Sequence, residues 1–188
     1  MSASIVVTQY MSLDGVIEDP VGMEDSGLGD WTGPFTRGAE GDKFKLDELF
    51  QASALLFGRK TYDAFAAAWP HITDDAGYAA RMNALPKHLA SHQDDTGWAN
   101  TQVIAGDLVS SVKRLKAETE GDILIFGSAS IVHQLAPQGL IDEYRLMIYP
   151  IVLGHGLKML PDGYAAILQT AEVRLFGDGI VLLRYRPA

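Results

Sequence analysis

Gly58-Arg59-Lys60-Thr61 closes the apolar run Ala54-Leu55-Leu56-Phe57 and opens a helix-like segment, a pattern with the chemistry of half a phosphate grip. Glycine lets a backbone approach a ligand without a Cβ in the way, and the Thr61 hydroxyl is placed to cap the helix that follows. Free N–H groups in that helix's first turn would then face an anion, with two cations beside them. Ile123-Leu124-Ile125-Phe126 repeats the logic and ends in Gly127-Ser128-Ala129-Ser130. Two such junctions point to a nucleotide. The second lacks the full G-x-G-x-x-G spacing, so a Rossmann dinucleotide fold is not what it predicts.

Other residues that could do chemistry are fewer. Ser12-Leu13-Asp14-Gly15 reads as an Asp-Gly turn, and His155, between Gly154 and Gly156, as an exposed loop histidine. The histidines at 71, 88, 92, 133 and 155 include one short pair. His88 and His92 would share a face only on a helix, whereas their surroundings read as strand, so no metal site is expected.

The elements that must position these groups alternate. Apolar runs at Ile5-Val6-Val7, 54–57, His88-Leu89-Ala90, Val103-Ile104-Ala105 and 123–126 are separated by stretches of helical period. The clearest helix has Asp107 as N-cap, Leu108, Val112 and Leu115 on one face, and Lys113, Arg114 and Lys116 toward its end. A short helix is expected from about Ser130 to Ala136, stopped by Pro137. The last third turns strand-like over 143–150, 171–176 and 180–186, with Gly177-Asp178-Gly179 as a hairpin signal. These patterns predict an α/β fold whose mainly parallel sheet ends in antiparallel strands. Residues 18–41, with six glycines, Pro20, Pro34 and Trp31, form the least regular segment.

Composition bounds the rest. A chain of 188 residues with 47% hydrophobic content reads as one domain, 1–188, able to bury a full core. Zero cysteines exclude disulfides and a cysteine nucleophile. A net charge of −9 argues against nonspecific nucleic-acid binding. No apolar run approaches the roughly 18 residues of a membrane span, and a soluble, cytoplasmic protein is expected.

Four motifs together resemble the dihydrofolate-reductase-like family, in particular the branch related to the reductase domain of the bifunctional riboflavin-pathway deaminase/reductase. They are Ser12-Leu13-Asp14-Gly15, Gly58-Arg59-Lys60-Thr61-Tyr62, Phe126-Gly127-Ser128-Ala129, and Gly139-Leu140-Ile141-Asp142-Glu143-Tyr144 leading into Pro150-Ile-Val-Leu-Gly-His-Gly. The resemblance implies a three-layer fold with NADPH across the carboxyl ends of the strands. Arg59, Lys60 and Thr61 after Gly58 would hold cofactor phosphates, Ser91 and His92 would lie near the adenine, and Gly127, Ser128, Ala129, Ser130 and Ile131 would wrap the pyrophosphate. Ser12 to Gly15 would close over nicotinamide and substrate.

The implied activity is hydride transfer to a small pterin- or pyrimidine-like heterocycle, as in 5-amino-6-(5-phosphoribosylamino)uracil reductase, by a homodimer. An ungapped count in the helix before Gly58 puts the proton-donating carboxylate at Asp42, with Asp47 and Glu48 as alternatives. Thr8 stands where the riboflavin-pathway reductases typically carry a substrate-binding lysine, so the acceptor is left open. The rival reading is a noncatalytic nucleotide-binding or regulatory protein that retains the cleft.

Overall fold

In the computed structural model, which describes residues 2–188, eight strands form one mixed sheet in the order β4-β3-β2-β5-β1-β6-β8-β7. The parallel part comprises β1 (Ser4–Ser12), β2 (Ala52–Gly58), β3 (Lys87–Ala90), β4 (Thr101–Ile104), β5 (Asp122–Phe126) and β6 (Glu143–Tyr149). The antiparallel finish is β8 (Ile180–Pro187) against β6, then β7 (Leu168–Phe176) against β8. This is the dihydrofolate-reductase-like α/β arrangement expected from the sequence.

Side-chain alternation on the central strands builds the layers. Ile5 and Val7 on β1, Ala54 and Leu56 on β2, and Ile123 and Ile125 on β5 face one core. Two helices, α4 (Leu108–Glu118) and α5 (Ala129–Leu135), complete it with Leu108, Val112, Ile131, Val132 and Leu135. Val6, Leu55, Phe57 and Leu124 point the other way. They meet Leu49 of α1 (Gly38–Gln51), Tyr62 of α2 (Arg59–Ala68) and Met82 of α3 (Tyr78–Ala84). Strands buried on both faces explain why these runs are continuously apolar.

Local chemistry sets several boundaries. Asp107 caps α4 as expected, its Oδ2 accepting the Ser110 N–H at 2.7 Å. The 177–179 hairpin forms, and Gly177 does more than turn: at φ +39° a Cβ there would lie 1.9 Å from the Thr36 carbonyl oxygen. Helix α3 has no counterpart among the sequence-based expectations. Asp74 accepts the N–H groups of Tyr78 at 2.9 Å and Ala79 at 2.6 Å and so starts it.

The irregular 18–41 segment is pinned. Trp31 is buried with its Nε1 donating to the Glu18 carbonyl at 2.8 Å, its ring edge-on to Tyr149. Buried Asp19 accepts from the backbone of Glu24 and Ser26 and from the Ser26 hydroxyl, closing the loop on itself.

Candidate functional site

The two strand-to-helix junctions meet at the carboxyl ends of adjacent β2 and β5. The Gly58 N–H donates to Ser128 Oγ at 2.9 Å, and the Ser128 N–H donates to Thr61 Oγ1 at 3.1 Å. Small residues let the loops close on each other: a Cβ on Gly127 would fall 2.8 Å from Thr61 Oγ1, and one on Gly58 3.2 Å from Ser130 Oγ. Ser128 holds φ +52°, a left-handed conformation uncommon away from glycine.

Two local expectations are corrected. Helix α2 begins at Arg59 with Gly58 as N-cap, so Thr61 lies inside the first turn and spends its oxygen on the neighbouring junction instead of capping its own helix. Helix α5 starts at Ala129, one residue before the expected Ser130, and the backbone of Ser128 supplies its cap position without a side-chain bond. The α2 N-terminus therefore has no side-chain cap, which leaves first-turn N–H groups beside two cations.

Those cations are already engaged. Arg59 donates through Nε and Nη2 to Ser91 Oγ at 3.1 and 2.9 Å, and to the carbonyls of Gln93 and Asp95, and pairs with Asp63. It thereby brings Ser91 and the exposed His92 beside the α2 N-terminus. Lys60 pairs with Glu18 at 3.1 Å and Glu24 at 3.3 Å. Partial burial works to lower its pKa, but the two carboxylates more than offset this and raise it.

A cleft of about 800 Å³ adjoins the junctions, with Thr61 and Gly127 on its wall. Phe65, Trp69, Tyr78 and Phe126 line it with flat apolar surface, and α1 contributes Asp42, Lys43 and Lys45. Asp42 is largely exposed, paired with Arg37 at 2.9 Å. Asp47 is bound to Lys43 on the helix surface. Glu48 is buried beneath the cleft, where its Oε2 accepts Thr8 Oγ1–H at 2.9 Å and Lys45 Nζ at 2.5 Å.

Lys45 is the residue that sequence reasoning missed. Its ammonium is buried, donates to Thr8 Oγ1 at 2.7 Å, and lies 5.4 and 5.1 Å from the ring centres of Tyr10 and Phe126. Thr8 carries no charge, yet a cation reaches its position from α1. Burial lowers the Lys45 pKa and Glu48 opposes that. Behind Glu48, Arg145 joins its Oε1 at 3.5 Å to Asp122 at 2.7 Å and Glu143 at 2.6 Å. A lysine three residues before a glutamate on a charge-rich helix reads as a solvated pair, and nothing in α1 alone signals otherwise.

Ser12 to Gly15 form a braced turn whose residues are absent from the cleft wall. Asp14 accepts the Ser12 hydroxyl at 2.7 Å and the N–H groups of Leu153 and Gly154 at 3.1 and 2.8 Å, and these bonds, led by Ser12, hold its pKa down to about 2. The turn thus ties β1 to the loop carrying exposed His155. Among the described residues, no cluster of acidic, histidine or cysteine side chains could hold a metal ion, and no helix is long and apolar enough to cross a membrane.

Comparison with known proteins matches residues 3–182 to the family described as the RibD C-terminal domain. The uncharacterized protein YyaP of Bacillus subtilis is 28% identical over 185 residues, covering 96% of this chain and 93% of YyaP. A protein provisionally assigned to riboflavin biosynthesis, from Shewanella sp. PV-4, superposes with a TM-score of 0.78 at 19% identity, over 100% of this chain and 99% of the other. A Thermotoga maritima diaminohydroxyphosphoribosylaminopyrimidine deaminase/5-amino-6-(5-phosphoribosylamino)uracil reductase gives 0.65 at 16% identity; all of this chain matches 57% of that longer one.

Proposed function

Because the chain belongs to the RibD C-terminal domain family, we propose that it is an NADPH-dependent reductase of a small pyrimidine- or pterin-like heterocycle. One observation carries the proposal: Thr61 and Gly127 belong to the paired junctions and also line the cleft, so a cofactor held by the junctions would open onto the space for an acceptor.

The donor set fits a 2′-phosphorylated dinucleotide. The uncapped N-terminus of α2 and the Lys60 ammonium offer donors to phosphates, the Arg59 guanidinium adds positive charge beside them while its own N–H groups hold Asp63 and the 91–95 loop, and Ser130 adds an exposed hydroxyl next to Gly58. When bound, NADPH would supply a hydride. The chain's own part is to grip the phosphates, set the acceptor's plane against Phe65, Trp69, Tyr78 and Phe126, and keep water from the reacting atoms.

A homodimer is part of the same proposal. Edge strand β7 leaves Val173 and Leu175 on one face, 58% and 71% exposed, a surface suited to a second copy.

Turnover tests the activity. NADPH consumption is followed with a panel of aminopyrimidine, pteridine and carbonyl acceptors. Oxidation that depends on one acceptor class supports the reductase. Tight NADPH binding without consumption across the panel favours the noncatalytic nucleotide-binding protein.

A further inference from the structure

Among the described residues, two lysine ammonium groups are buried, with opposite hydrogen-bond complements. Lys87 Nζ donates to the carbonyls of Asn83, Leu85 and Ala99 at 2.8, 2.8 and 3.2 Å, which exhausts its three N–H bonds. Lys45 donates to Thr8 and Glu48 alone, which leaves one N–H without an oxygen or nitrogen acceptor, beside the Tyr10 and Phe126 rings, on a residue that lines the cleft. A buried donor without an acceptor is costly, which favours an arrangement where a ligand supplies one. The Trp69 indole N–H, also buried and without an acceptor, belongs to a residue of the same cleft wall.

Resting on the reductase reading above, we propose that Lys45 is a catalytic residue whose third N–H donates to the nitrogen or oxygen of the substrate bond that is reduced, with Glu48 and Thr8 as positioning residues. The alternatives on α1 fit this role less well. Asp42 is spent on Arg37 in solvent, and Glu48 lies under Lys45, away from the cleft wall.

The step balances. The substrate carbon accepts a hydride and forms a C–H bond. The double-bond pair moves to the heteroatom, which takes a proton from Lys45 Nζ. The substrate gains two electrons, which bound NADPH would supply with the hydride. The neutral amine regains its proton from water after the product leaves. Charged and titratable groups that act on the ammonium are Glu48 on α1, Arg37 before it, Arg145 on β6 and the Tyr10 ring on β1, while Asp42, Lys43 and Tyr78 share the cleft wall with it. Glu48 is the anion in contact with it, so Glu48 keeps the proton in place until the substrate takes it.

The test uses lumazine, a planar fluorescent pteridine with carbonyl acceptors, titrated into the full chain and its variants while NADPH is titrated separately. Lys45→Met is expected to weaken lumazine binding by about tenfold or more, as for a lost charge-assisted hydrogen bond, and to leave NADPH affinity within about twofold. Wild-type lumazine affinity is expected to fall as pH rises through the Lys45 titration. Glu48→Gln should move that midpoint down by about one unit, and Glu48→Asp should restore it.

In the unaltered protein, bound lumazine should shield Lys45 from acetylation by acetic anhydride, read by mass spectrometry, which keeps the test decisive if Lys45→Met does not fold. Undiminished lumazine affinity in Lys45→Met, undiminished acetylation, or a wild type that ignores lumazine at about 1 mM overturns the proposal. Lumazine binding through Lys45 in a chain that ignores NADPH would instead sink the reductase reading and leave the Lys45 contact standing.

Discussion

The Thr61 hydroxyl oxygen accepts the Ser128 amide N–H at 3.1 Å across 67 residues of sequence, and this bond makes two separate strand–helix junctions one unit. Thr61→Val leaves that buried N–H without a partner and should cost about 1–3 kcal/mol in urea unfolding. Thr61→Ser should restore most of it. Gly127→Ala, forced to φ +51° and into the Thr61 side chain, should destabilise by about 1–3 kcal/mol. Equal stability for Thr61→Val and Thr61→Ser would show that the bond is idle.

Lys60 and the carboxylates facing it should move cofactor affinity in opposite directions. Glu18 and Glu24 neutralise the cation that a 2′-phosphate would read. Lys60→Ala should weaken NADPH binding by about tenfold, while Glu24→Gln removes one of the two anions on the cation and should tighten it a few-fold. Both effects should shrink in high salt, because Lys60 is exposed. Tighter binding by Lys60→Ala in a calorimetric titration would count against the phosphate role.

Glu143 predicts the acid limb of stability. Burial works to raise its pKa, but Arg145, Arg184 and Arg186 all donate to its carboxylate and bring it down to about 2. A folded pKa below the unfolded one stabilises at pH values above the unfolded pKa. That contribution, roughly 2–3 kcal/mol, should drain away as pH falls from about 4.5 toward 2. Glu143→Gln should flatten this part of the pH–stability curve and leave the share that Asp14 contributes in the same window. It should also lower neutral-pH stability, since three guanidinium groups lose their shared partner.

The proposed dimer can be broken at one residue. Leu175→Glu places a charge on the exposed apolar face of β7, where it touches no core cluster, so the fold should persist. Sedimentation should then give a monomer for the variant and a dimer for the parent. Identical sedimentation of the two would remove β7 from the interface.

Strand order is not written in any one stretch, yet the strands themselves were legible, because Ile5 to Val7, Ala54 to Phe57 and Ile123 to Ile125 are buried on both sides and carry no polar interruption. The junctions were legible for the same reason that they work, since glycine and small hydroxyl residues stand where two loops approach. What joins them was not. Thr61 looked like a cap for its own helix, and only the neighbouring position of β5 gives it Ser128 instead.

Lys45 and Lys87 were invisible as buried groups, because lysine is read as solvent-facing until Thr8 reaches Lys45 from β1 and the Ala99 carbonyl reaches Lys87 from the following loop. Helix α3 escaped notice because its start lies with Asp74, outside the helix and ahead of any clear apolar period.

The central claim is that the paired junctions hold NADPH. It is tested most directly by titrating NADPH and NADH into the folded protein and following energy transfer from tryptophan, of which Trp69 lies on the cleft wall. Saturable transfer is expected with NADPH at micromolar concentrations, and binding weaker by at least about tenfold for NADH, which lacks the 2′-phosphate. No transfer with NADPH up to about 1 mM, or equal affinity for the two, would contradict it.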